Sequence, residues 1–214
     1  MIRMKGIADG EALRVSYFHT HVVYDGQVSG CVEEPAFQQL LGDQAKRVAA
    51  LWGSKTHLMS HDEWRVLGWD ESCAGKPAGE IAAWNVKFCA GLLKQQVPGG
   101  RILVWNDMFD PHHNAVKDYY LVRDSLEGSW NGLEPSVEIM NWNFGKRDES
   151  LAFFAKRGHK QVIAGFYDDT LENVGAWLSS AAKVEGVKGF MYTTWRGDYS
   201  KLEAVAGILE KAGW

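Results

Sequence analysis

The chain has 214 residues, 46% of them hydrophobic, and a formal net charge of -4. This length suits one hydrophobic core, so residues 1–214 are predicted to form a single domain. Acidic residues outnumber scattered Lys and Arg residues, which excludes the concentrated basic field of a nucleic-acid-binding surface. No run approaches the roughly 18 apolar residues of a membrane span, and the first residues lack the apolar core of a signal peptide. We therefore expect a cytoplasmic protein without membrane contact.

The cysteines favour a reducing compartment. The three are Cys31, Cys73 and Cys89, an odd number without the spacing of a metal site. We predict free thiols, and neither a metal nor a cofactor.

Strands and helices are predicted to alternate along most of the chain. Runs rich in Val, Ile and aromatic residues predict strands, and apolar residues at helical spacing predict helices. Proline at position 35 and glycine at position 53 bracket the first helix. The predicted strands are 12–19, 56–60, 101–105, 137–142, 161–166 and 187–195, and the predicted helices are 36–52, 78–96, 148–157, 171–183 and 202–211.

This alternation predicts an α/β fold with parallel strands. A dinucleotide-binding sheet is excluded because no GxGxxG turn follows an early strand. A (β/α)8 TIM-barrel-like fold is favoured because nearly every strand ends in reactive or aromatic residues. Only about six strand–helix units are found where a closed barrel needs eight, so either residues 20–33 and 118–135 add atypical strands or the barrel is incomplete. An incomplete barrel exposes a sheet edge, from which we expect a homo-oligomer.

The strongest candidate site is the acidic pair Asp62 and Glu63, which follows the strand 56–60. Cleavage of a glycosidic bond needs a carboxylic acid that protonates the leaving oxygen and a second group that stabilises the positive charge at the anomeric carbon. Adjacent carboxylates can supply both functions. The pair therefore predicts glycoside hydrolysis, with His61 beside it as a substrate contact.

Three tryptophans occupy matching places at the ends of later strands: Trp105, Trp142 and Trp195. A single Trp at such a place is commonly a core residue, whereas three together predict an aromatic lining that stacks on sugar rings. The predicted ligand is therefore a carbohydrate.

The segments SHDE, VWNDM, MNWNF, GFYDD and MYTTW, spread over residues 56 to 196, resemble the family-20 glycoside hydrolases, the β-N-acetylhexosaminidases and their bacterial relatives. The resemblance implies that Glu63 is the general acid and that Asp62 orients the substrate's 2-acetamido group, whose carbonyl oxygen attacks the anomeric carbon. It further implies that Tyr167 binds the acetamido group, that the three tryptophans wall the pocket, and that Asp107 or Asp168 holds sugar hydroxyls. The chain departs from the family's pattern in two expected respects: His61 stands where the family usually has glycine, and the sequence is expected to start near the family's third strand, without the early strands that usually supply an arginine.

Three alternatives remain open. A metal-dependent hydrolase is the first, because His19 and His21 form an HxH motif whose imidazoles share one face of an extended strand; the same site would draw on His61, His112, His113 and Asp168. Retaining hydrolysis of a galactoside type, with Glu63 as acid and Asp168 as nucleophile, is the second. A barrel that binds carbohydrate without cleaving it is the third.

Overall fold

The structure is a computed structural model that describes residue 8, residues 10–12, residue 14 and residues 30–214. The predicted first strand, 12–19, lies mostly outside the described residues. His19 and His21, and most of the segment 20–33, lie outside them as well. The fold is therefore described from the segment that precedes the first helix onward.

All five predicted helices are confirmed. They are α1 Pro35–Trp52, α2 Ala78–Gln96, α3 Arg147–Lys156, α4 Leu171–Ala181 and α5 Leu202–Lys211. Pro35 occupies the first turn of α1, where its missing N–H needs no partner. Gly53 ends the same helix in the left-handed conformation that glycine adopts without strain, and its N–H donates to the Ala49 carbonyl. Along the described part of the chain, no helix combines the length and the hydrophobicity needed to cross a membrane.

The main sheet confirms the α/β class. Its strands are β1 Thr56–Leu58, β3 Arg101–Trp105, β5 Val137–Asn141, β6 Gln161–Ala164 and β7 Val187–Met191. They are all parallel and lie in the order in which they occur along the chain. This order contains no reversal, so right-handed crossovers carry the connections to one face of the sheet. A doubly wound sheet would instead reverse at a switch point.

The described residues do not establish a TIM-barrel-like fold, complete or incomplete, which stays a prediction. Across residues 30–214, β1 and β7 each pair on one side and the sheet stays open. The region 118–135 adds one strand, β4 Leu121–Val122, but this strand pairs with β2 Val66–Leu67 in a separate two-stranded sheet. Of the two alternatives left open by the sequence, the one in which this region adds a strand to the main sheet is contradicted, because β4 forms its backbone hydrogen bonds with β2 instead.

The two faces of the main sheet differ in what covers them. On the helix face, Val104 and Ile139 pack in one cluster with Ile81 and Val86 of α2, and Ile163 packs on Leu151 and Trp177 of α3 and α4. The opposite face carries a smaller cluster of Leu103, Met140 and Val162, on which Trp105 and Met191 pack. Leu58 on this face remains 43% exposed. The homo-oligomer expected to cover an open sheet edge stays a prediction.

Gly132→Ala should destabilise the protein by at least about 1 to 3 kcal/mol, because a Cβ at this position would lie 1.9 Å from the Ala83 carbonyl oxygen of α2. The matched control is Gly91→Ala in α2, where a Cβ would meet nothing within 4 Å. The control should leave stability unchanged or raise it by up to about 1 kcal/mol. Urea unfolding measures both. Equal stability of the two variants would contradict the close approach of α2 to the segment around Gly132.

Candidate functional site

The loops that follow β1, β3, β5, β6 and β7 meet at one edge of the sheet, here called the carboxyl edge. Parallel strands end at the same edge, so residues far apart in sequence come together there. The candidate residues on these loops are His61, Asp62, Glu63, Asp107, Trp142, Tyr167, Asp168 and Trp195, whereas Trp105 is the last residue of β3.

Asp107 is the buried centre of the carboxyl edge. Its Oδ2 accepts hydrogen bonds from the Glu63 backbone N–H (2.8 Å) and from Asn114 Nδ2 (2.9 Å), and its Oδ1 accepts one from Trp142 Nε1 (3.4 Å). Burial raises the pKa of this carboxyl to about 6, although the three hydrogen bonds oppose the rise. With its side chain wholly enclosed, Asp107 joins the loops after β1, β3 and β5. The predicted contact of Asp107 with sugar hydroxyls stays a prediction.

The acidic pair lies on a strained turn. Ser60, His61 and Glu63 have φ values of 60°, 62° and 45°, a region that residues other than glycine seldom adopt. Such strain persists only where neighbouring groups enforce it, and the bond from the Glu63 N–H to Asp107 is one of these constraints. Asp62 is exposed and Glu63 is partly exposed. The turn therefore presents both carboxylates at the carboxyl edge.

Glu63 has a close cationic partner. Arg65 Nη2 donates to Glu63 Oε2 at 2.6 Å, and the side chains are 23% and 41% exposed, respectively. Arg65 is one of the residues that the sequence analysis did not single out, although it lies two positions after Glu63. A substrate that binds this carboxylate oxygen has to displace or share the Arg65 hydrogen bond.

Aromatic side chains form a row across the ends of β5, β6 and β7. Trp142 stacks on Tyr167 with ring centroids 5.7 Å apart and planes 14° apart, and Tyr167 meets Trp195 edge to face at 5.8 Å. We call Trp142, Tyr167 and Trp195 the aromatic row. Trp195 is 76% exposed, so one end of the row is open to solvent. Two of the three predicted wall tryptophans are thus brought together by Tyr167.

The aromatic row lies beside the carboxylates. The pKa of Tyr167 is raised first by burial and then by the negative charges of Glu63, Asp62 and Asp107. The hydrogen bond that Trp142 Nε1 donates to Asp107 Oδ1 also links the aromatic row to a carboxylate. Stacking rings and acidic groups therefore share one site.

Tyr119 also belongs to this site and was not found from the sequence. Burial raises its pKa to about 12, and the charges of Asp107, Glu63 and Asp62 add to the rise. Tyr119 and Asn114 come from the stretch 114–133, which has neither helical nor strand periodicity. No local pattern signals them, because their positions depend on how this stretch folds back over the carboxyl edge.

Asp168 braces a loop. Its carboxylate accepts hydrogen bonds from the Thr194 hydroxyl (2.5 Å) and from the backbone N–H groups of Trp195 (2.5 Å) and Arg196 (3.0 Å). The Thr194 hydrogen bond is the main reason that the pKa of Asp168 is lowered. Both oxygens are engaged in holding the loop that carries Trp195. The predicted roles of Asp168 as sugar ligand or nucleophile have no support from these contacts and stay predictions.

His61, the residue before the acidic pair, is held in place by protein groups at both of its ring nitrogens. Its Nδ1 lies 2.8 Å from the Met59 carbonyl oxygen and its Nε2 lies 3.0 Å from Asn85 Oδ1. Burial lowers its pKa, and the ring packs against Trp64 at 5.2 Å. Both ring nitrogens face protein partners, so the position of His61 fits a support for the turn better than the predicted substrate contact.

Trp105 lies apart from the aromatic row. It is partly buried on the open face of the sheet with Leu103, Met140 and Val162. Among residues 30–214, the ring contacts of the row do not include it. Its predicted place in the sugar pocket stays a prediction.

The histidine-based metal site gains no support within the described residues. His61, His112, His113 and Asp168 do not gather three ligand atoms close enough to share an ion there. His113 instead packs against Trp142 with ring centroids 4.4 Å apart. The motif that prompted this alternative, His19 and His21, lies outside the described residues.

Comparisons with models of known protein families and with curated proteins find no match. The resemblance to family-20 glycoside hydrolases therefore stays a hypothesis that depends on the motifs themselves.

Asp107→Asn should remove a pH dependence of stability. Between about pH 4 and pH 6 the folded protein retains a proton on Asp107 that the unfolded chain has lost, because the folded pKa is about 6 and the unfolded one is about 3.9. The contribution of this group to the free energy of unfolding is thus fully present below about pH 4. It falls by up to about 3 kcal/mol as the pH rises to about 6.

Urea unfolding of both proteins at about pH 4.5 and about pH 6.5 measures this effect. The amide of the variant cannot ionise, and its oxygen can still accept from the Glu63 N–H. Asp43→Asn, at an exposed position on α1, is the matched control and should retain the wild-type pH dependence. An unchanged pH dependence in Asp107→Asn would contradict the raised pKa.

Proposed function

We propose that the protein is a glycoside hydrolase that cleaves a terminal β-linked sugar at the carboxyl edge, with Glu63 as the general acid. The observation that carries the proposal is the aromatic row beside the carboxylates of Asp62 and Glu63. Aromatic faces pack against the apolar faces of sugar rings, and carboxyl groups supply the proton and the charge stabilisation that glycosidic cleavage requires. Few other chemistries need both in one place.

The contacts favour substrate assistance over a protein nucleophile. A retaining enzyme with two catalytic carboxylates needs the second one free to attack, about 5 Å from the acid. Asp168 is engaged by Thr194 and two backbone N–H groups, and Asp107 is fully enclosed. Asp62 is exposed and adjacent to Glu63, as a residue that orients a substrate acetamido group would be. An N-acetylhexosaminide is therefore the first substrate to test, and a galactoside the second.

The test is a side-by-side assay of aryl β-N-acetylglucosaminide, β-galactoside and β-glucoside. Turnover of one or more of these substrates that ceases in Glu63→Gln supports the proposal. Turnover that depends on an added divalent metal and ceases with a chelator would instead support the alternative built on His19 and His21. No turnover of any of the three, with no sugar binding, would contradict the proposal.

Carbohydrate binding without hydrolysis is the second candidate. The specific observation in its favour is the pairing of Glu63 with Arg65, which occupies a carboxylate oxygen that a general acid must direct at the glycosidic oxygen. Sugar binding measured by calorimetry in the absence of any turnover would identify this function.

Trp195→Ala should weaken sugar binding by about 5- to 10-fold, since one stacking contact contributes about 1 kcal/mol. Because Trp195 is 76% exposed, its removal should leave the melting temperature nearly unchanged. The matched control is Trp52→Ala at the end of α1, which is 75% exposed and precedes the amino end of β1. Equal affinities in the two variants would exclude Trp195 from the binding surface.

A further inference from the structure

Two of the three cysteines form a cluster with an aspartate, joining the segment before α1 to the loop before α2. Cys31 Sγ lies 2.9 Å from Asp70 Oδ1 and 3.8 Å from Cys73 Sγ. One ligand atom from each of the three residues lies within 4.8 Å of the other two. Cys73 is 1% exposed, and Cys31 is partly buried. We call Cys31, Asp70 and Cys73 the cysteine cluster.

The separation of the sulfur atoms fits two ligands of one cation. Zinc–thiolate bonds of about 2.3 Å at a tetrahedral angle put two sulfurs about 3.8 Å apart, which is the distance between Cys31 Sγ and Cys73 Sγ. A disulfide needs the sulfurs at about 2.05 Å, so the side chains would have to move together. The Asp70 carboxylate, beside the sulfurs, supplies a third ligand atom that a disulfide would not use.

We propose that Cys31, Asp70 and Cys73 bind one thiophilic divalent cation, for which Zn²⁺ is the best match, with water completing the coordination. Sulfur ligands select zinc over magnesium or calcium, and a carboxylate is an accepted third ligand. This site is independent of the proposed glycoside hydrolysis.

Without a metal, the two thiols of the cysteine cluster carry the protons that a bound cation would replace. Burial raises the pKa of both thiols, and the neighbouring Asp70 carboxylate raises each further. The metal-free thiols are therefore protonated, with the Cys31 thiol donating to Asp70. Binding forms two sulfur–metal bonds and one oxygen–metal bond and releases both thiol protons to solvent. No oxidant or reductant is required.

The cation would tie together two segments that are already linked. Lys76 pairs with Glu33 at 2.7 Å, and Ser72 donates a hydrogen bond to Glu34, across the same junction. These contacts place α1, which has no buried side chain of its own, next to the loop that leads into α2. A ligand of the folded state stabilises it by mass action. Zinc at about 100 times its dissociation constant should therefore raise the melting temperature by about 5 to 10 °C.

Cobalt titration tests the site directly. The full-length protein, kept reduced with a phosphine, is titrated with Co²⁺ and then with Zn²⁺. The proposal expects one Co²⁺ per chain, with a thiolate-to-cobalt charge-transfer band and the intense visible bands of tetrahedral cobalt, both lost when Zn²⁺ displaces it. Cys73→Ser should abolish the charge-transfer band or reduce it at least by half, and Asp70→Asn should weaken binding about tenfold or more.

The matched control is Cys89→Ser, which removes the third thiol, a group that lies near Asn85 rather than in the cluster. It should bind cobalt like the wild type. Asp70→Asn also guards against a folding defect, because its amide oxygen can still accept from the Cys73 N–H, as Asp70 Oδ1 does. Absence of the charge-transfer band in the wild type, or an equal band in Cys73→Ser, overturns the proposal. Loss of two thiols to oxidised glutathione in a protein that takes up no cobalt also overturns it, and assigns the pair to a redox disulfide.

Discussion

Glu63→Gln should lower the turnover of the aryl glycoside that the protein hydrolyses by at least about 100-fold, the usual contribution of a general acid. The amide has the size of the carboxyl group but no proton to transfer. It keeps an oxygen that can accept from Arg65, and the backbone bond from Glu63 to Asp107 is unaffected. The strained turn should therefore persist, and the melting temperature should change little.

A series of leaving groups makes this test specific for proton donation. A dinitrophenolate leaves without protonation, whereas a phenolate needs it, so the loss in Glu63→Gln should be much larger for the phenyl glycoside. The control Glu210→Gln, at an exposed position of α5, should hydrolyse both substrates like the wild type. Equal losses for both leaving groups would show that Glu63 acts in some way other than as an acid. Unchanged turnover would contradict the assignment of Glu63 as the general acid.

Asp62→Asn should lower the turnover of an aryl N-acetylglucosaminide by about 10- to 100-fold. In substrate-assisted hydrolysis the carboxylate accepts a hydrogen bond from the acetamido N–H and stabilises the positive charge that develops there. A charge-assisted hydrogen bond of this kind contributes about 1.5 to 3 kcal/mol, which corresponds to the stated loss. Because Asp62 is exposed, the substitution should not affect stability.

The comparison between substrates decides the role of Asp62. A galactoside has a hydroxyl in place of the acetamido group, so any galactosidase activity should fall only a few-fold in the variant. Asp43→Asn on α1 is the control for removal of an exposed carboxylate. An equal loss on both substrates would contradict substrate assistance and would favour a purely electrostatic role for Asp62.

Asp107 has a different place in this site from the one that the sequence indicated. The polar cluster after β3 predicts a sugar ligand, but Asp107 is enclosed and binds the Glu63 N–H, Asn114 and Trp142. It therefore sets the position of the acidic pair relative to the aromatic row. Asp168 acts similarly at the other end of the row, where it holds the loop of Trp195. Both carboxylates therefore hold together loops that follow different strands of the main sheet.

The helices and the five strands of the main sheet could be predicted because their signals are local. Apolar residues at helical spacing mark α1 to α5, and short β-branched runs mark the strands, whichever neighbours they later contact. Alternation of the two also predicted parallel strands, and parallel strands require that Glu63, Trp142 and Tyr167 approach one edge. The gathering of the candidate residues was thus foreseeable in outline.

Other features depend on contacts between residues that no local pattern relates. The pairing of β2 with β4 joins residues more than 50 positions apart, and it removes the region 118–135 from the main sheet. Tyr119 and Asn114 reach the site through the same irregular stretch. Cys31 and Cys73 are 42 positions apart, a separation that matches no metal-binding motif.

By itself, the sequence determined the class of the fold, the order of its elements and the edge at which the acidic and aromatic residues collect. The tertiary structure alone decided which of these side chains face solvent and which form hydrogen bonds with other parts of the protein. The reason is physical: periodicity specifies which face of an element is buried, whereas the partner of a buried carboxyl group depends on the packing of distant loops. Asp62 and Glu63 are accordingly presented on a strained turn, and Asp107 beneath them holds that turn in place.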